Sequence, residues 1–173
     1  KIGTAEVASF DADGLKMVSG KGIKFDAYGS NNILDDYEEG SFSPTITGET
    51  GAFTTSGQAT TGSYVKIGDF VHLEMDGYIT TPSGGSGTLR LTGLPFSMPA
   101  GRSAVGSMSA GRWDNSVSGD QWAPFLAAGT DYIQFRAAEA YSGSGDGIET
   151  ASTAIISGNV TPFWTISISF KVS

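Results

Sequence analysis

The clearest pattern in the chain lies near its end, where Trp164-Thr165-Ile166-Ser167-Ile168-Ser169-Phe170 alternates apolar and polar residues without a fault. A period of two is that of a β-strand, and this run predicts a central one with Trp164, Ile166, Ile168 and Phe170 on one face. Phe70 to Ile79 repeats the pattern, with Val71, Leu73 and Met75 on one side and His72, Glu74 and Asp76 on the other. Thr61 to Ile67 precedes it, and Gly68-Asp69 supplies the tight turn of a hairpin. Further strands are predicted at Ser41 to Ile46, Thr88 to Thr92, Ala104 to Ser109, Ala123 to Ala127, Tyr132 to Ala137 and Thr153 to Ile156. That spacing belongs to a sandwich or barrel, and an all-β, antiparallel, jelly-roll-like β-sandwich is the expected fold class.

The opening stretch reads differently. Short β pieces, Glu6 to Phe10, Leu15 to Val18 and Ile23 to Phe25, are separated by turns at Asp11-Ala12-Asp13-Gly14 and Gly20-Lys21-Gly22. Each is too short to bury its own apolar face, because an isolated two-stranded hairpin is marginal in water. Phe10, Leu15, Met17, Ile23 and Phe25 therefore need cover that one chain does not supply. The acidic segment Asn31-Asn32-Ile33-Leu34-Asp35-Asp36-Tyr37-Glu38-Glu39-Gly40 looks like a one-turn connection or short helix. The expected organisation is a stem end and acidic connector over residues 1–40 and a sandwich over residues 41–173.

Composition narrows the partners. With 173 residues the chain is long enough for one sandwich-sized domain plus an appendage, and its 25 glycines favour strands and turns over helices. A net charge of -8 argues against nucleic acid and against a membrane surface as partners, since both require clustered Lys and Arg. No apolar run approaches the length of a membrane span. Without cysteine there is neither a disulfide framework nor a thiolate metal site. The chain opens at Lys1 with no signal-peptide pattern, which reads as a fragment or a processed product.

Three stretches together resemble a known family. Leu34-Asp35-Asp36-Tyr37-Glu38-Glu39-Gly40-Ser41-Phe42-Ser43-Pro44-Thr45, then Tyr64-Val65-Lys66-Ile67-Gly68, then Thr92-Gly93-Leu94-Pro95-Phe96, are similar in order and spacing to the C-terminal region of tail fibres and related virion proteins of tailed bacteriophages. The resemblance spans roughly residues 30–97. It implies a virion location in the tail fibre, homotrimeric assembly with the opening strands as the end of a stem, contact with other virion tail proteins, and attachment to a host cell-surface glycan or protein receptor. It implies no catalytic residue and no cofactor.

The chemistry available from the residues agrees with a binding module. Asp35, Asp36, Glu38 and Glu39 contain the two acids that glycoside hydrolysis needs, but adjacent acids in a short connection point apart. Asp11-Ala12-Asp13-Gly14 begins like a calcium loop, yet Ser19 and Gly22 stand where later ligands are required, so no metal is expected. His72 is the only histidine, and Glu74 on the same strand face is its natural partner. The remaining cluster is Arg112-Trp113-Asp114-Asn115 with Asp120-Gln121-Trp122. A sugar site needs a flat aromatic face with amide, carboxylate or guanidinium groups around it, so Trp113, Asp114, Asn115, Asp120 and Trp122 are the candidate ligand-binding residues. Core packing of the tryptophans is the competing reading. Two other functions remain open: a tailspike-type polysaccharide depolymerase fragment and a purely structural virion decoration.

Overall fold

The alternation of Phe70 to Ile79 is realised in full in the computed structural model, which describes residues 8–12, 14–18, 23–24, 33–34, 36–55, 57–113, 122–138, 148–150 and 161–173. Among the described residues its elements are all strands. The opening contributes β1 (Ala8–Asp11), β2 (Gly14–Met17), β3 (Ile23–Lys24) and β4 (Ile33–Leu34). The sandwich contains β5 (Tyr37–Phe42), β6 (Thr45–Gly48), β7 (Phe53–Thr54), β8 (Gly57–Ile67), β9 (Phe70–Thr80), β10 (Ser83–Gly84), β11 (Leu89–Thr92), β12 (Ala104–Val105), β13 (Ser107–Gly111), β14 (Ala123–Leu126), β15 (Ile133–Ala138), β16 (Ile148–Thr150) and β17 (Phe163–Lys171).

Two antiparallel sheets carry the core. The five-stranded sheet has the order β13-β17-β9-β8-β5, which makes β17 an interior strand as its alternation requires. The six-stranded sheet runs β12-β14-β15-β11-β6, with β16 also paired to β15. Val71, Leu73 and Met75 from β9 and Trp164, Ile166, Ile168 and Phe170 from β17 meet Ile46, Leu89, Leu91, Leu126, Ile133 and Phe135 from the other sheet in one buried cluster. Burying each such side chain contributes about 1.5–3 kcal/mol, so this apolar layer is the main stabilising term.

Among the described residues two predicted strands are broken, one at a proline and one at a glycine, and the predicted strand Thr153 to Ile156 lies outside the described residues. Ser41 to Ile46 divides at Ser43-Pro44, so that β5 joins one sheet and β6 the other. Proline has no N–H to donate, and buried Pro44 turns the chain across the core. Ala104 to Ser109 divides at Gly106, where the chain passes from β12 in the six-stranded sheet to β13 in the five-stranded one. A Cβ at Gly106 would collide with the Ser167 carbonyl oxygen and stand 2.9 Å from Ile168 Cβ and 3.0 Å from Pro124 Cγ. Only glycine fits this corner, and its N–H donates to the Pro124 carbonyl at 2.9 Å.

Within the acidic segment Ile33–Leu34 and Tyr37 to Gly40 are strand rather than short helix, while Asn31, Asn32 and Asp35 lie outside the described residues. Glu38, Glu39 and Gly40 pair with Lys66, Val65 and Tyr64, so the five-stranded sheet takes in Tyr37–Phe42. An edge strand tolerates these charges because its outer backbone and alternate side chains face water. The turn Gly68-Asp69 forms as expected, with Gly68 at φ +56° and its N–H donating to the Asp36 carbonyl at 2.8 Å. In the opening, β1 pairs with β2 and β3 with β4.

Glycines inside the strands have a second use. Phe42 lies over Gly62, Tyr64 over Gly40 and Trp164 over Gly77, each across one strand pair and each where a Cβ would meet the ring at 2.5–2.7 Å. Placing an aromatic beside a glycine restores the side-chain cover that the glycine lacks.

Candidate functional site

Trp113 and Trp122 are not exposed stacking faces. They are 7% and 8% exposed and belong to the core cluster, with Trp113 edge-on to Phe135 at a centroid distance of 5.0 Å and an interplanar angle of 79°. The correction has a simple cause: an indole is too large to leave wet when Phe135 offers an apolar wall. Asp114, Asn115 and Asp120 lie outside the described residues. Beside the tryptophans, a cleft of about 620 Å³ follows β13, lined by Met108, Ala110, Trp113 and Trp122 among others. The Trp113 Nε1 is buried with no hydrogen-bond partner among the described residues.

Of the candidate stem residues, Phe10 and Leu15 are directly opposed on the β1–β2 hairpin and are 84% and 47% exposed, which leaves their apolar surface wet. Met17 and Ile23 belong to β2 and β3, but their side chains lie outside the described residues, as does all of Phe25.

The motifs that carry the phage resemblance come together at one end of the sandwich. Tyr64 donates to Glu38 Oε1 at 2.5 Å, and its ring meets Phe96 edge-on at 5.1 Å. Lys66 pairs with Asp36, and Tyr37 donates to Glu39 Oε2 at 2.6 Å. Asp36, Glu38 and Glu39 are thus each held by a neighbour rather than facing each other across a groove; Asp35 lies outside the described residues. The phenols of Tyr64 and Tyr37 are held above their usual pKa, first by the hydrogen bond to a carboxylate and then by desolvation and charge repulsion. These contacts clasp β5 and Asp36 to β8, and β8 to Phe96, at the entry end of the sandwich.

The outer face of the five-stranded sheet is read directly from its register. Tyr37, Ile67, Phe70 and Lys171 form one row at the entry end. Glu39, Val65, His72 and Ser169 form the next, and Ser41, Ser63, Glu74, Ser167 and Ser107 the third. Then come Thr61, Asp76, Thr165 and Ser109, and finally Ala59, Tyr78, Phe163 and Gly111. Polar rows therefore separate two apolar ends.

In the polar middle, His72 Nδ1 lies 2.8 Å from Ser169 Oγ and His72 Nε2 3.5 Å from Glu74 Oε1. These are the three group types of a serine hydrolase. The trio stands on an exposed sheet, with the Glu74 side chain 67% exposed, and the strand amides around it are engaged in the β9–β17 ladder. Free N–H groups aimed at an oxyanion are what such a site needs and a flat ladder does not offer.

Sequence reasoning missed the last row. Tyr78 and Phe163 are directly opposed, 44% and 49% exposed, and border a hollow of about 310 Å³ with Ala59, Thr61, Asp76 and Thr165. The signal was present, since both aromatics occupy the polar parity of strands whose core parity is unambiguous.

No family model matches the chain, and no curated protein matches it. Among solved structures, the crystal structure of the Dettilon tailspike protein is similar, with a TM-score of 0.59 over 77% of this chain and 19% sequence identity. The chain spans 23% of the length of that protein, and at this identity the likeness is one of fold.

Proposed function

We propose that this chain is a receptor-binding domain of a tailed-bacteriophage tail appendage, which attaches the virion to a glycan or protein on the host surface without covalent chemistry. The observation that carries the reading is the similarity of the two-sheet fold to a segment of a phage tailspike, alongside the phage-like order of the three clasp motifs. Homotrimeric assembly belongs to the same proposal. Exposed Phe10 and Leu15 support it, because an apolar hairpin left wet in one chain is covered when equivalent hairpins meet around an axis. The other virion tail proteins would be its fixed partners and the host receptor its transient one.

The test is competition. Purified chain, preincubated with susceptible host cells, is expected to block phage adsorption in a dose-dependent way, and its mass by light scattering is expected to be three times that of one chain. Unchanged adsorption at saturating protein would remove the receptor-binding role and leave a structural decoration.

One observation favours a second reading, a depolymerase or esterase: the contact of Ser169, His72 and Glu74. Incubation with host polysaccharide separates the two. A binding module releases no reducing ends and no acyl groups, and the variant His72→Ala behaves as the parent.

A further inference from the structure

We propose that the far end of the outer face of the five-stranded sheet is a binding site for a neutral pyranose, with Tyr78 and Phe163 as the stacking platform and Asp76 as the hydroxyl acceptor. This deepens the receptor-binding reading and rests on it.

The platform is built rather than incidental. Tyr78 and Phe163 stand opposite each other on β9 and β17, flanked on the same face by Ala59 and Gly111. A Cβ at Gly111 would collide with the Phe163 ring, so the ring lies across the glycine with its other face turned outward. Beneath Tyr78, Gly77 lets Trp164 pack against the strand from the core side. Both rings therefore sit on backbone held by the buried Trp164, which follows Phe163 and packs on Gly77, and this limits the ordering cost of binding.

The neighbouring row supplies polar groups at a useful distance. Same-face rows of a strand are about 6.8 Å apart, two residues at ~3.4 Å, so the row of Thr61, Asp76 and Thr165 lies within reach of a monosaccharide stacked on the rings. Asp76 Oδ1 accepts from the Thr165 hydroxyl at 2.7 Å, which orients the carboxylate and leaves Oδ2 to accept from sugar hydroxyls. The hollow these residues line, about 310 Å³, suits one sugar unit in contact with the protein.

Two arguments choose the occupant. A second protein chain would need about 800 Å² of surface from each partner. Two half-exposed rings offer roughly 200 Å², and the next row inward is hydroxyls and a carboxylate. The charge also selects: Asp76 and Glu74 share this face in a chain of net charge -8, so uronic and sialic acids are repelled and a neutral glycan is not. Weak single contacts of this kind become effective when several copies engage one cell surface.

The experiment uses the full chain on an array of purified bacterial O-polysaccharides, neutral and acidic, with adsorption competition, melting temperature and oligomer mass measured in parallel. Tyr78→Ser, which leaves Phe163 over Gly111, and Asp76→Asn are the variants. The expected result is wild-type signal on neutral members, lowered at least tenfold by Tyr78→Ser and several-fold by Asp76→Asn, with melting and mass unchanged. Undiminished array signal in both variants overturns the site while the attachment role stands. Competition by the wild type with no glycan signal also overturns it, and points to a protein receptor. Failure of the wild type in both assays removes the receptor-binding reading itself. A changed oligomer mass in Tyr78→Ser overturns the site in favour of a subunit contact.

Discussion

Replacing Trp113 with Ala is the sharpest test of how the six-stranded sheet is covered. Trp113 is 7% exposed and packs edge-on against Phe135, which is itself fully buried. Truncating a buried aromatic to alanine costs about 3–5 kcal/mol. Part of that is offset, because the Nε1 of Trp113 is buried without a partner among the described residues, and removing this single neutral donor relieves a desolvation cost of about 1 kcal/mol, the low end of the range for such groups. A net loss of about 2–4 kcal/mol is expected. For a chain of this size each kcal/mol moves the melting temperature by about 2–4 °C, so a fall near 6–12 °C follows for the middle of that range. Trp113→Phe keeps an aromatic edge on Phe135 and deletes the unpaired N–H, and its cost should stay below about 1.5 kcal/mol. Circular dichroism followed through a urea titration at fixed protein concentration measures both, since tryptophan fluorescence would change with the substitution itself. A loss within ~0.5 kcal/mol for Trp113→Ala is the signature of a surface position and would refute the packing argument.

Gly106→Ala should cost about 3 kcal/mol or more, because its methyl meets backbone at a corner fixed by both sheets; a melt matching the parent would show that the corner yields. Deleting residues 1–28 is expected to lower the oligomer mass yet leave a cooperative thermal transition, since among the described residues β1 and β2 pair only with each other, and loss of the transition would mean a shared core. In an alkaline titration followed by tyrosine absorbance, Tyr37 and Tyr64 should ionise above the ordinary 10.0. Because their folded pKa is raised, the stability they contribute is present below pH ~10 and is lost as the pH climbs through the folded values. Tyr64→Phe should remove one of the late-titrating phenols, and an unaltered titration curve would place the shift elsewhere.

The sandwich was legible where one face is wet and the other dry. β9 and β17 state their period, their length and their central position in residues alone, because each second side chain must enter the core. What escaped was everything decided across the chain. Glu38 and Glu39 look like a connector until Tyr64 and Lys66, far along the sequence, arrive beside them. Trp113, set among polar neighbours, has no period to reveal that Phe135 will cover it. Strands broken by Pro44 and Gly106 were read through, although each breaker carries its own stop signal. The exposed aromatics escape for the opposite reason: Tyr78 sits in a strand whose period is stated by its core face, and nothing local says that Phe163 will stand opposite it on the other face.

The register that joins Tyr37 to Lys171 across the entry row has a mechanical consequence. β5 starts and β17 ends at this row, running in opposite directions with β8 and β9 between them, so opposed tension on these two residues would open the sheet one hydrogen-bonded pair at a time, like a zip. Tension between Tyr37 and Tyr78 acts differently. Tyr78 lies about 27 Å along β9 from the entry row, at ~3.4 Å per residue, and β5 runs parallel to β9 with β8 between them. A load along that line shears both ladders at once, and all their bonds share it. The sheet is weak to being peeled at its base and strong against a pull from its tip.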